Sequence, residues 1–214
     1  MNPPSSALSV FIVDDDDAFR DSLSWLLEST PFTILTFASG EAFLQHYNGE
    51  PGCLLLDIRM PGISGLALQQ ELIRRNINIP TLILTGHGDI PVAVSAMKNG
   101  ALNFIEKPFD DQVLLEHIDK AMVHARLWHQ QQNQQSQLTE RWNSLSKREK
   151  QVMQLVVSGH ANKLVAETLD ISPKTVEVHR ARVMAKMDAA SLADLVNQAH
   201  RIDALKAILA EQTV

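Results

Sequence analysis

Five short apolar runs, each followed by a stretch patterned like a helix, constrain this chain more than any other feature. Four of the runs lead directly into polar side chains. Val10-Phe11-Ile12-Val13 opens into the acidic segment Asp14 to Asp17, Cys53-Leu54-Leu55-Leu56 into Asp57, Leu82-Ile83-Leu84 into Thr85, and residues 102–105 lead to Lys107. Short apolar runs alternating with helices read as strands of a parallel sheet covered on both faces, and such sheets gather their chemistry in the crevice beyond the strands' carboxyl ends. Carboxylates, a hydroxyl and an ammonium therefore meet in one place.

The pattern predicts strands near 9–14, 33–37, 53–57, 79–85 and 102–106, with helices near 17–29, 40–48, 65–76, 90–99 and from 110 onward. Ser39-Gly40, Pro51-Gly52, Pro61-Gly62, Gly86-His87-Gly88 and Asn99-Gly100 mark the turns. The expected class is α/β, a (βα)5 doubly wound parallel sheet, followed by a linker helix and an all-α bundle. Residues 126–143 are rich in glutamine and lack Pro and Gly, which favours a helical linker. Ser146 and Glu149 then form a capping box, Gly159 stops that helix, and a short helix follows near 163–169. After the turn Asp170-Ile171-Ser172, Ser172 and Pro173 open a helix to about Met187, and a last helix spans about 191–210. The expected domains are 1–125, the linker 126–143, and 144–214.

Charge separates the halves. Residues 1–125 carry a net −9 and residues 126–214 a net +3, which together give the chain's −6. An acidic half joined to a basic half suggests a regulatory or metal-binding unit coupled to one that meets a polyanion. The single cysteine, Cys53, sits in an apolar strand and reads as a packed thiol. The N-terminal residues have no basic region, the apolar stretch after them stops at four aspartates, and no run approaches the ~18 apolar residues of a membrane span. A cytoplasmic location is expected, with no membrane partner.

Carboxylates brought within a few ångströms repel one another unless a divalent cation neutralises them, and oxygen ligands favour Mg²⁺. Lys107 would supply a point charge for a phosphoryl oxygen and Thr85 a hydrogen bond. These residues, in the segments Ile12-Val13-Asp14-Asp15, Leu56-Asp57-Ile58-Arg59-Met60-Pro61-Gly62, Thr85-Gly86 and Lys107-Pro108-Phe109, resemble the receiver domain of two-component response regulators. The resemblance implies that Asp57 accepts a phosphoryl group from a phosphohistidine on a sensor histidine kinase. It implies Mg²⁺ held by Asp15 directly, by Asp14 mainly through water, by Asp57 and by the Arg59 carbonyl. Thr85 and Phe104 fall at the family's switch positions, where many receivers carry tyrosine in place of Phe104. A cis Lys107-Pro108 peptide is implied as well. His87, between two glycines, reads as a solvent-facing loop residue rather than a ligand.

The second half resembles the LuxR-type helix-turn-helix through Leu145-Ser146-Lys147-Arg148-Glu149, Gly159, Asn162-Lys163, Ala166 and the run from Ile171 to Arg180. The whole chain is similar to the NarL/FixJ class of transcription factors, nearest its FixJ branch. Asp170 stands where that family usually has glycine. With Val176, Val183 and Met187 turned to the core, Lys174, Val178, Ala181 and Ala185 face outward, flanked by Glu177 and Arg182. The family's docking mode assigns base contacts to Glu177, Val178 and Ala181. Lys163, Lys174, Thr175, Arg182 and Lys186 suit phosphates.

The reading is a phosphorylation-dependent regulator: Asp57 phosphorylation favours a homodimer and binding to double-stranded DNA, and RNA polymerase stays open as a further partner. The chain is then no enzyme but a phosphoacceptor that promotes its own phosphorylation and dephosphorylation. One alternative is a phosphorylation-independent DNA-binding regulator. Another is a Mg²⁺-dependent phosphatase of the haloacid dehalogenase type using Asp14, Asp16, Thr85, Lys107 and Asp110-Asp111, although Ala18 departs from that pattern and Asp57 would have no role.

Overall fold

The computed structural model describes residues 8–86 and 90–211, with side chains as far as residue 203. His87, Gly88 and Asp89, and with them the expectation for His87, lie outside the described residues. The first half alternates strand and helix as the apolar runs require: β1 (Ser9–Val13), α1 (Asp17–Leu27), β2 (Thr33–Phe37), α2 (Gly40–His46), β3 (Gly52–Asp57), α3 (Gly65–Arg74), β4 (Thr81–Thr85), α4 (Ile90–Lys98), β5 (Asn103–Glu106) and α5 (Asp111–Ser144). The strands are parallel in the order β2-β1-β3-β4-β5. Strand order reverses between β1 and β3, so the crevice of this sheet opens over their carboxyl ends.

The strands read as unbroken apolar runs because both sheet faces are covered. Val10, Ile12, Cys53, Leu55, Leu82 and Leu84 pack with Leu23 and Leu27 of α1 and with Leu114, Ile118 and Met122 of α5. Phe11, Val13, Leu54, Leu56 and Ile83 face the other way, onto Phe43 of α2, Leu68 and Leu72 of α3 and Ala96 of α4. Each large side chain so buried contributes about 1.5–3 kcal/mol, a sizeable part of the ~5–15 kcal/mol that holds a domain folded. Serine and aspartate start the helices: Asp16, Ser39 and Ser64 accept from the backbone N–H groups of Phe19, Ala42 and Ala67. β4 begins at Thr81, later than the apolar pattern suggests, because Pro80 has no N–H for the ladder. Its carbonyl still accepts from the Leu54 N–H at 2.9 Å.

The chain divides into two compact units, Met1–Gln130 and Gln131–Val214, and the division falls within α5. That helix runs 34 residues, and in its last turns Leu138 and Trp142 join the core of the second unit. There α6 (Lys147–Val157), α7 (Asn162–Leu169), α8 (Pro173–Met187) and α9 (Leu192–Glu211) follow. Leu145, Met153, Val183, Met187, Leu195 and Ile202 complete one cluster, and Val152, Val156, Val165, Ala166 and Val176 form another. The Ser146–Glu149 capping box is present, and Gly159, at φ 86°, turns the chain out of α6. Asp170 does adopt the left-handed backbone, at φ 52°, that its place in the turn demands. Ser172 caps α8, with Pro173 at its first turn.

Candidate functional site

Asp14 follows the last residue of β1, Asp57 ends β3, Thr85 ends β4 and Lys107 follows β5. Pairing of Asp57 with Leu84 and of Thr85 with Glu106 brings these ends level. The Lys107 ammonium donates to Asp14 Oδ2 at 2.6 Å and to Asp57 Oδ1 at 2.9 Å, so three strand ends converge on one cation. Both carboxylates are buried, and their other oxygens accept backbone hydrogen bonds. The Asp16 N–H donates to Asp14 Oδ1 at 2.9 Å and the Arg59 N–H to Asp57 Oδ2 at 2.6 Å. Thr85 is buried, and its carbonyl accepts from the Lys107 N–H at 2.7 Å, tying the start of the lysine loop to β4. The Lys107-Pro108 peptide is cis. Phe104 is half-buried against the α2–α4 face of the core.

Two buried carboxylates against one ammonium leave an excess of negative charge. Burial pushes the Asp57 carboxyl above its ordinary value, Lys107 pulls it back by hydrogen bond and charge, and Asp14 pushes it up again. An oxygen-only donor set with uncompensated charge is the chemistry a hard divalent cation fits. Asp15 is exposed beside it, and among the described residues no three His, Cys, Asp or Glu side chains are gathered into a metal-binding group. Asp16, which the phosphatase alternative would need in the crevice, instead caps α1 by accepting from the Phe19 N–H at 3.1 Å.

Sequence reasoning missed three residues that shape this crevice. The Phe19 ring lies against Lys107 Nζ, 3.7 Å from its centroid. Arg20 donates from Nη1 to the Asp14 carbonyl at 2.6 Å and pairs with Asp17. Gly65 lies so close to the Asp57 carbonyl that a Cβ would stand 2.2 Å from its oxygen, so only glycine lets α3 start this close to the end of β3. The only signal for Phe19 and Arg20 was their place in the first turn after the acidic run.

In the second unit α8 buries Val176, Val183 and Met187 and exposes Lys174, Glu177, Val178, Ala181, Arg182 and Ala185. Val178 is 46% exposed on that face. Lys163 is exposed on α7, whereas Thr175 is half-buried and shares a 2.8 Å hydrogen bond with the Ser172 hydroxyl. Lys186 is exposed on α8 as well, and it also has a partner within the unit. Its ammonium donates to Glu149 Oε2 at 2.7 Å and to the Ser144 carbonyl at 3.1 Å, because the buried Glu149 carboxylate of the capping box needs a counter-charge. Two arginines that the pattern left unassigned tie α7 to its neighbours: Arg180 of α8 donates to Asn162 Oδ1 at 2.6 Å, and Arg148 of α6 to the Leu169 carbonyl at 2.7 Å.

Comparison with known proteins gives both units relatives. Residues 10–119 match the response regulator receiver domain, and residues 143–199 match the luxR family of bacterial regulatory proteins. The chain is 46% identical to the transcriptional regulatory protein FixJ of Azorhizobium caulinodans, over 90% of this chain and 92% of that one. It is 43% identical to the response regulator protein TodT of Pseudomonas putida, over 90% of this chain and 86% of the other. Among solved structures, the response regulator StyR superposes with a TM-score of 0.85 at 42% identity, covering 91% of this chain and 99% of that one. No helix among the described residues is long and apolar enough to cross a membrane.

Proposed function

This chain belongs to the two-component response regulators that join a receiver domain to a LuxR-type DNA-binding domain, and from that premise we propose that Asp57 is its phosphoacceptor and α8 its groove-entering helix. The observation that carries the reading is the Lys107 ammonium bridging Asp14 and Asp57 at the strand ends. In the proposed step one Asp57 carboxylate oxygen attacks the phosphorus of a phosphohistidine on a sensor histidine kinase. The new P–O bond forms as the P–N bond breaks, and the imidazole leaves. Lys107 stays protonated and passes its hydrogen bond from Asp57 to a phosphoryl oxygen, while the Thr85 hydroxyl donates to another.

Receiver domains generally bind Mg²⁺ for phosphorylation. Here Asp14, acting mainly through water, Asp15, Asp57 and the Arg59 carbonyl would hold it, and it would supply positive charge against the incoming phosphoryl group. As a phosphoacceptor, the chain uses the same groups to promote both its own phosphorylation and its own dephosphorylation. Thr85 moves toward the phosphoryl oxygens and Phe104 rotates into the space it leaves, with packing alone setting the ring because phenylalanine has no hydroxyl.

Phosphorylation then favours a homodimer that binds double-stranded DNA in the cytoplasm, where the genome lies; RNA polymerase is a further partner the reading leaves open. Glu177, Val178 and Ala181 meet base edges, and Lys163, Lys174, Thr175, Arg182 and Lys186 meet phosphates. Residues 1–125 are assigned to the phosphoacceptor domain, 126–143 to the linker and 144–214 to DNA binding. Asp57→Asn is expected to abolish the gain in dimer and DNA affinity that a phosphodonor gives the wild type. Equal DNA binding by treated and untreated wild type would overturn the reading.

A further inference from the structure

Lys107 has three N–H donors, and Asp14 and Asp57 account for two of them. Another side of the ammonium meets an aromatic face: Nζ stands 3.7 Å from the centroid of the Phe19 ring. A cation so placed over a ring is attracted by the negative charge of the π face, the more so where water is excluded. The lysine side chain is only 19% exposed.

The ring's position is fixed from two directions. Asp16 caps α1 through the Phe19 backbone N–H, which fixes the backbone from which the ring projects. Phe109, two residues beyond Lys107, meets the ring edge-on, with centroids 6.2 Å apart and planes at 76°. Phe19 itself packs on the core layer formed with α1 and α5. Aromatic, ammonium and carboxylates thus form one assembly that joins the start of α1 to the loop after β5.

We propose that Phe19 is a positioning residue for phosphoryl transfer: its π face holds the Lys107 ammonium over Asp57 and screens one side of it from water. The inference rests on the reading of Asp57 as phosphoacceptor. As the phosphoryl group arrives, Lys107 exchanges its bond to Asp57 for one to a phosphoryl oxygen. Anchored by Asp14 and the ring, the ammonium makes that exchange in place. With acetyl phosphate as donor, a P–O bond to the Asp57 carboxylate forms while the P–O bond to the acetyl group breaks, and acetate leaves with the electron pair.

The test uses the full chain with Phe19→Leu and with phenylalanines at position 19 carrying one, two or three ring fluorines, which weaken the π face while nearly preserving shape. Aspartyl phosphate formation from acetyl phosphate and Mg²⁺ is expected to slow stepwise with each fluorine and about tenfold in Phe19→Leu. Without any phosphodonor, the NMR ring-current shift of the Lys107 methylene next to Nζ is expected to disappear in Phe19→Leu. Denaturation midpoints across the fluorine series are expected to stay constant. A flat series in a chain that does accept phosphate, or a rate loss that tracks the midpoint, would overturn the role of Phe19 alone. Wild type taking no more phosphoryl group than Asp57→Asn would overturn the phosphoacceptor reading and this inference with it.

Discussion

Lys174 and Val178 stand one helical turn apart on the exposed face of α8, and in the proposed function their chemistry separates holding DNA from reading it. An ammonium neutralises a phosphate whatever the sequence, whereas an isopropyl group discriminates only where a thymine methyl meets it. Lys174→Ala is therefore expected to weaken binding on all duplexes and to lower the slope of affinity against salt by about one. Val178→Ala is expected to alter base preference by about 1 kcal/mol per changed contact, read by competition among duplex variants. Uniform loss from both would place the reading face elsewhere. The strand-end residues Asp14, Asp57, Thr85 and Lys107 were legible because an apolar run followed by a polar group fixes a side chain at the sheet's carboxyl edge. Phe19 and Arg20 were not, since a helix's phase against a neighbouring loop depends on packing that no local pattern states.

At the scale of the element, α6 and α8 are joined where the capping box of one meets the last turn of the other. Glu149 is almost wholly buried, its side chain 4% exposed, and it serves both the Ser146 N–H and the Lys186 ammonium. The hydrogen bond from Lys186, then that from the Ser146 backbone, lowers its carboxyl from 4.5 to about 2. Folding therefore favours the charged form: the stabilisation is fully present above about pH 4.5 and is lost as pH falls toward about 2. Glu149→Gln is expected to lower the urea midpoint at neutral pH, and its gap to wild type is expected to close across that acid window. A gap independent of pH would show that the carboxylate's charge contributes nothing. The capping box itself was readable from Ser146 and Glu149, as were the left-handed Asp170 and the Pro173 start. Helical phase also marked Lys186 as outward-facing, but it could not reveal a partner 37 positions away.

Over the whole molecule, periodicity delimits elements better than it assigns them to cores. Leu127, Leu138 and Trp142 are too sparse for a heptad repeat, yet Leu138 and Trp142 pack fully enough to bring the end of α5 into the second unit. Cys53, the second residue of the middle strand β3, is fully buried, and burial pushes its thiol up to about 12. Native chain is expected to resist thiol alkylation at neutral pH and to react once urea unfolds the sheet, with mass spectrometry counting the adduct; prompt labelling of native protein would mean that the sheet opens readily. To sulfur-directed dyes the folded protein behaves as a blank slate. A cysteine introduced at Ala181 would be its sole address, so a fluorophore could report on α8, the helix proposed to enter the groove, without first stripping the molecule of its natural chemistry.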